Sequence, residues 1–282
     1  MAIKTYKPTS KSQRQHTSID YRKLLSGHKP LKSLLKGKKR MGGRNSFGRI
    51  TVRHQGGGHK KRLRDVDFKF DKKNIPAKIS SIEYDPFRSA FIGLAVYADG
   101  AKRYVLVPQQ IKVGDTFVVS ETAPVKIGNR LPLSLVPVGT FVYNIELKPG
   151  EGGRIARSAG NYCEVVAQDA GYTHLKMPST EVRRVISTCW ASVGAASNEE
   201  HRLENWGKAG RTRWKGIRPT VRGTVMNPVD HPHGGGEGKQ GRGIRRAKTM
   251  WGKPSGKGQK TRRPKKYSNV FVVTRRRVGK RK

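Results

Sequence analysis

Almost all the excess charge of this 282-residue chain sits at its two ends. Residues 1–62 hold 18 Lys and Arg against a single acid, Asp20, a net +17. Residues 207–282 hold 24 against Asp230 and Glu237, a net +22. The stretch between, residues 63–206, carries 18 against 16 and is nearly neutral at +2. Segments that basic repel themselves and favour a polyanion to lie in. The partition predicts a compact body carrying two extensions that bind nucleic acid.

Hydrophobic residues make up 34% of the chain, below the roughly 45–50% usual for globular domains on a scale that also counts Gly. The deficit lies mainly in the extensions, so the middle retains enough apolar residues for two small cores. No run approaches the roughly 18–20 apolar residues of a membrane span, and no apolar signal core opens the sequence. The expectation is a soluble, intracellular protein with no membrane partner. Cys163 and Cys189 form no CxxC pair, and both are expected to be buried and reduced, used as small apolar residues.

Residues 1–48 lack sustained periodicity apart from a helical turn expected at Asp20–Leu25, and they are expected to order only on a partner. From Arg49 the pattern turns to period two. Ile50 and Val52 alternate with polar neighbours, as do Val66, Phe68 and Phe70. Ile79 and Ser81 do so against Ile82 and Tyr84 in a shifted register. Ser89–Tyr97 suits a strand buried on both faces, and Asp99-Gly100 marks a hairpin to Tyr104–Val107. Gly114-Asp115 precedes a further strand, Phe117–Val119. These runs predict a small antiparallel barrel over residues 49–123.

A Pro/Gly-punctuated link, Pro124–Pro137, opens a second β domain over residues 124–206. Its strands are expected at Thr140–Leu147, Tyr162–Gln168, Thr173–Met177, Glu181–Ile186 and Trp190–Val193. A short helix capped by Asn198 is expected at Asn198–Trp206. Residues 207–282 form a Gly-rich basic extension.

The run Arg53-His54-Gln55-Gly56-Gly57-Gly58-His59-Lys60-Lys61-Arg62 sets three glycines among bases. Glycines let backbone amides approach a phosphate closely. A hinge is the plainer use and can coexist with RNA contact, which the flanking charge favours. In Met226–Gly238 a second triple glycine follows His231-Pro232-His233. A metal site needs more ligands than this segment offers. A general base is conceivable, yet no nucleophile or carboxylate network can be assigned to it. Hydrogen bonding to phosphates and base edges is the less demanding role. Gly236–Gly241 matches GxGxxG by letter without the strand and helix that motif requires, and no GxxxxGK[ST] loop occurs, which argues against an NTPase. Trp206, Trp214 and Trp251 interleave with the bases of the second extension. They could stack unpaired bases or pin the extension to the body, and the sequence does not separate the two.

The chain resembles the universal large-subunit ribosomal protein two family (the L-two family) in its bacterial form. The resemblance rests on Pro219–Asp230 followed by His-Pro-His-Gly-Gly-Gly-Glu-Gly, and on Gly48–His54 with Gly-Gly-Gly-His-Lys. Glu83–Ala90 and Gly152–Gly160 also match, all in family order. Residues 239–250 depart from the pattern, with Met250 where a proline usually precedes Trp-Gly. The resemblance implies an all-β chain: an oligonucleotide-binding-fold barrel, then an SH3-like barrel, with long basic N- and C-terminal extensions. It implies a structural, non-enzymatic role in the ribosome of the cytoplasm, binding large-subunit ribosomal RNA beside neighbouring ribosomal proteins. It further implies contacts to the small subunit at the intersubunit face and a loop around His231 directed towards the peptidyl-transferase region. No cofactor is expected beyond magnesium associated with the RNA.

Charge, glycines and matched motifs together nominate the RNA-binding residues. They are Arg44, Arg49, Arg53, His54, Gly56, Gly57, Gly58, His59 and Lys60 in the first basic region, and Arg88, Arg154 and Arg157 in the middle. In the second extension they are Arg211, Arg213, Trp214, Lys215, Arg218, Arg222, Asn227, His231 and His233. Two rival readings are catalytic assistance to acyl transfer by His231, with Asp230, and a free DNA-binding architectural protein.

Overall fold

The computed structural model describes residues 2–238, 241–256 and 262–276. They fall into two compact units, each assembled from segments far apart in sequence. The first comprises Met1–Lys39, Lys60–Lys208 and Ser268–Lys282, and the second Arg40–His59 and Ala209–Tyr267. Both basic ends of the chain therefore contribute to both units.

The first unit is all-β. One antiparallel sheet runs in the order Lys102–Leu106, Ile92–Tyr97, Ala77–Glu83, Thr116–Phe117. Between Ile79 and Ser81 the pairing register shifts by a β-bulge, but the inward phase does not change to Ile82 and Tyr84 as expected: Ala77, Ile79, Ser81 and Glu83 are buried, and Tyr84 is exposed. Ser81 and Glu83 thus face inward with Ala77 and Ile79. Ser81 Oγ donates to Glu83 Oε1 (3.0 Å) and the Tyr104 hydroxyl to Oε2 (2.8 Å), so the buried carboxylate is satisfied. Ile92–Tyr97 is buried on both faces, as expected, and turns into Lys102–Leu106 through Asp99-Gly100, with Gly100 at φ 81°. Phe70, Ala77, Ile79, Ala95, Tyr97, Val105, Phe117, Val119 and Trp190 form its core.

A second sheet of seven strands runs Val272–Thr274, Val182–Ile186, Tyr172–Lys176, Cys163–Asp169, Phe141–Tyr143, Trp190–Val193, Arg130–Pro132. Its core gathers Leu131, Leu133, Val142, Ile145, Val165, Leu175 and Val185 with the two cysteines. Each large aliphatic side chain so buried contributes about 1.5–3 kcal/mol. Burial pushes both thiols up to about 12, so at neutral pH they are inert apolar fillers. Asp169 pairs with Tyr172 across Ala170 and Gly171, both at positive φ (45° and 77°), the two-residue turn that matches strand twist.

Among the described residues one cation lies wholly inside, against an equally buried carboxylate. Arg130 is 1% exposed and donates to the Asn144 carbonyl (2.8 Å), Ser192 Oγ (3.4 Å), the Trp190 carbonyl (3.3 Å) and Glu146 Oε1 (3.0 Å). Its guanidinium also sits 4.8 Å from the Phe70 ring centroid. Glu146 Oε2 accepts from the amides of Gly150 and Trp190 (3.2 Å each). Burial holds the Arg130 pKa below its ordinary range, and the Glu146 carboxylate opposes that shift.

Several expectations are overturned. Ile50 and Val52 belong to no strand and are more than half exposed (59% and 51%), because Arg40–His59 leaves the barrel for the second unit. Val66 makes a single parallel bridge to Tyr104, and Phe70 reaches the core from a left-handed conformation (φ 53°), so Val66–Phe70 is not a strand. The supposed link at Pro124–Pro137 holds a buried strand and the 3-10 turn Leu133–Leu135. Thr140–Leu147 is broken at Asn144 (φ 50°) into Phe141–Tyr143 and Ile145–Glu146. Glu199–Leu203 is a 3-10 turn, and Asn198 does not cap it: its Nδ2 donates to the Ser89 carbonyl (2.6 Å).

The first residues are not a free tail. Ile3–Thr5 pairs with Thr17–Ile19, Ile19 is buried, and Leu35–Gly37 pairs with Arg62–Arg64. The expected turn is present at Tyr21–Leu24, where Asp20 accepts from the Arg22 amide (3.3 Å) and Tyr21 packs edge-on against Tyr84 and Phe91. Two of the residues behind the Gly236–Gly241 letter match, Lys239 and Gln240, lie outside the described residues. No helix among the described residues is long and apolar enough to cross a membrane.

Candidate nucleic-acid interface

In the second unit the two basic regions are joined backbone to backbone. The Gly56 amide donates to the Gly216 carbonyl (2.9 Å), the His59 amide to the Trp214 carbonyl (2.9 Å), and the Arg218 amide to the His54 carbonyl (2.9 Å). A side chain at Gly58 would place its Cβ 2.7 Å from both the Gly216 nitrogen and the Trp214 oxygen, at φ +83°. Only glycine permits this crossing. Arg40 fastens the triple glycine from its own side, donating to the Gly57 carbonyl (2.6 Å) and to the His59 carbonyl.

The crossing gathers most nominated residues into one unit. Arg44, Arg49, Arg53, His54, Gly56, Gly57, Gly58 and His59 come from the first region. Arg211, Arg213, Trp214, Lys215, Arg218, Arg222, Asn227, His231 and His233 come from the second. Arg44, Arg49, Arg53, Arg218 and Arg222 are exposed, so their guanidiniums reach solvent while the glycines hold the backbone. Lys60 begins the next segment of the first unit and is not among this group.

His231 and His233 serve a hydrogen-bond relay. The His231 amide donates to the Asn227 carbonyl (3.2 Å) and the Gly234 amide to the His231 carbonyl (2.8 Å), closing the loop on itself. His231 Nδ1 accepts from the His233 amide (3.0 Å), and His233 Nε2 accepts from the Lys248 amide (2.9 Å). Partial withdrawal from water, then the charges of His231, Arg242 and Lys248, lower the His233 pKa below its ordinary 6.5. A lowered histidine pKa gives stability that is fully present above 6.5 and lost as the pH falls through the folded value. As the pH falls from 6.5 through that folded value, the Lys248 amide should therefore lose exchange protection beyond the intrinsic pH effect. An unchanged protection factor across that range would disprove the relay. Among the described residues no three His, Cys, Asp or Glu side chains converge on a point that could hold a metal.

Arg88, Arg154 and Arg157 come together in the first unit. The guanidiniums of Arg157 and Arg88 lie 4.4 and 5.2 Å from the centroid of the Phe68 ring. Arg88 Nε donates to Asp85 (2.6 Å), Arg157 to the Gly153 carbonyl (3.1 Å) and Arg154 to Glu151 (2.7 Å). Burial, and then the nearness of Arg88 and Arg154, lowers the Arg157 pKa, so an anion placed among the three relieves their repulsion. Arg154 and Arg157 line a groove of about 910 Å³ with Phe68, Lys69, Lys102 and Arg103. Asp67 and Asp71 in that groove are paired to Arg103.

Sequence reasoning missed Arg40, Phe68 and Lys248. Arg40 is one of a basic run and differs from Lys38 and Lys39 only by where its guanidinium ends. Phe68 reads as core, and Lys248 takes part through its backbone alone.

A basic unit built from both ends of the chain, together with an all-β unit, is the pattern of a nucleic-acid-binding protein. Residues 31–120 match the family described as Ribosomal Proteins L2, RNA binding N-terminal domain, and residues 126–252 match Ribosomal Proteins L2, C-terminal domain. The matches span most of the chain, which belongs to this ribosomal protein family. It is a structural RNA-binding constituent of the large ribosomal subunit, with an oligonucleotide-binding fold followed by an SH3-like barrel.

Proposed function

We propose that this protein holds large-subunit ribosomal RNA in two ways at once: the crossed basic unit neutralises packed phosphates, and the Arg88–Arg154–Arg157 cluster docks the body. The observation that carries this reading is the backbone crossing, which converts two self-repelling segments into one preorganised cationic surface. In the assembled particle, in the cytoplasm, the protein meets neighbouring ribosomal proteins and supports subunit association at the intersubunit face. Its His231 loop supports the peptidyl-transferase region. The role of His231 is structural, because its Nδ1 already accepts the His233 amide and thereby sets the loop. Magnesium, where it takes part, accompanies the RNA and is not held by the protein.

The test is the salt dependence of binding to a large-subunit ribosomal RNA fragment. Each lost phosphate contact lowers the log–log slope by roughly 0.7–0.9. Replacing Arg44, Arg49, Arg53, Arg218 and Arg222 together by Gln should lower it by roughly 3.5–4.5, and replacing them by Lys should largely preserve it. A Gln variant with the native slope would refute the proposal.

A further inference from the structure

We propose that Trp251 is a stacking platform for one unpaired nucleobase, presented by a hairpin that the histidine relay holds in place. The proposal deepens the RNA-binding reading and rests on it.

Residues 247–255 fold back on themselves: Lys248 bridges Pro254, the Thr249 amide donates to the Lys253 carbonyl (2.8 Å), and the Ser255 amide to that of Ala247 (2.7 Å). At the tip the Gly252 amide donates to the Thr249 carbonyl (3.0 Å) and Gly252 stands at φ 77°. The hydrogen-bond pattern matches that at Tyr97–Ala101, where Gly100 occupies the left-handed position. Trp251 takes the place in this turn that Asp99 takes in the other. An indole is an expensive residue to leave in water at a hairpin tip, yet Trp251 is 71% exposed. It is therefore not a core residue of the unit.

Two features make the ring a receptor for a base. The Arg53 guanidinium lies over it, 5.4 Å from the ring centroid, and orients it while leaving most of its surface open. The exposed ammonium groups of Lys248 and Lys253 flank the tip on either strand, as needed to hold the phosphates on either side of a stacked nucleotide. The hairpin is also fixed at its base, because the Lys248 amide donates to His233 Nε2 (2.9 Å). A duplex buries its base faces, so the partner is an unpaired nucleotide of the RNA.

The test compares wild-type protein with Trp251→Ala and Trp251→Phe on three probes: a single-stranded RNA oligonucleotide, an abasic strand with the same number of phosphates, and a duplex. Stacking loss of the usual size predicts a roughly five- to hundredfold weaker grip by Trp251→Ala on the base-bearing strand. Its salt slope should stay unchanged, since no phosphate contact is removed. The abasic strand and duplex should bind as to wild type, and Trp251→Phe should recover most of the loss. Equal losses on base-bearing and abasic strands, or no loss on any, would overturn the proposal, the latter leaving the tip to a protein contact. If wild-type protein bound no strand with a steep salt slope, the RNA-binding reading itself would fall. A steep slope with an indifferent Trp251→Ala would remove only the platform.

Discussion

Arg130→Ala should destabilise the first unit by about 3–5 kcal/mol, the usual result of stranding one member of a buried ion pair. The variant leaves Glu146, 1% exposed, with two backbone amides for company and no countercharge. It also unpairs the Asn144 carbonyl and removes the cation over Phe70. The pair is not itself expected to be a large source of stability, since taking two charges out of water offsets most of their attraction. Arg130→Met with Glu146→Leu should accordingly recover much of the loss, and equilibrium unfolding in denaturant would show it. If the single variant unfolds within about 1 kcal/mol of wild type, the network has been misjudged. The consequence reaches beyond one strand. Arg130 lies in the second sheet, Phe70 in the core of the first, and Trp190 belongs to both through its strand and its ring. Breaking the network should broaden the transition or split it in two.

Gly58→Ala should open the crossing of the two basic segments. Its Cβ would meet backbone atoms at 2.7 Å, and backbone cannot swing aside as a flexible side chain can. Strain of about 1–3 kcal/mol from the left-handed conformation adds to the clash. The amides of Gly56, His59 and Arg218 should lose exchange protection together, because each closes the same crossing. Gly57→Ala supplies the control: Gly57 also has positive φ (62°) but nothing lies within 4 Å of its Cβ position, so only the conformational strain remains. RNA affinity should fall about tenfold or more for Gly58→Ala through lost preorganisation. The denaturation midpoint of the first unit should not move. Matching behaviour of the two glycine variants would show that the crossing does not depend on the close approach.

Local pairings were legible in the sequence because their signals lie within a few residues of each other. The Asp99-Gly100 hairpin and the strand Trp190–Val193 are of this kind. What escaped depends on partners distant in sequence. Arg130–Pro132 hides among prolines, and its buried arginine reads as surface until Glu146 is seen beside it. Ile19 looks like a stray apolar residue in a basic tail until Ile3 pairs with it. The nominated residues were chosen by charge and glycine content, which identify a class of surface but not its geometry. That His54–His59 would lie against Trp214–Arg218 could not be read from either segment, because both are basic and only the glycines hint at close approach.

The strand Val272–Thr274 has a bearing on how the protein is made. It completes the outer edge of the seven-stranded sheet by pairing with Val182–Ile186, so a nascent chain has that edge ready long before its cover exists. At ordinary rates of synthesis the interval is on the order of ten seconds. An open strand edge left that long invites pairing with another chain. Val182–Ile186 carries Arg183 and Arg184 at its centre, and their charge keeps the waiting edge from joining a stranger. In the finished protein the Arg183 guanidinium lies 5.9 Å from the centroid of the Phe271 ring, beside the strand that arrives. The same residue thus guards the edge during synthesis and helps to seat its proper cover afterwards.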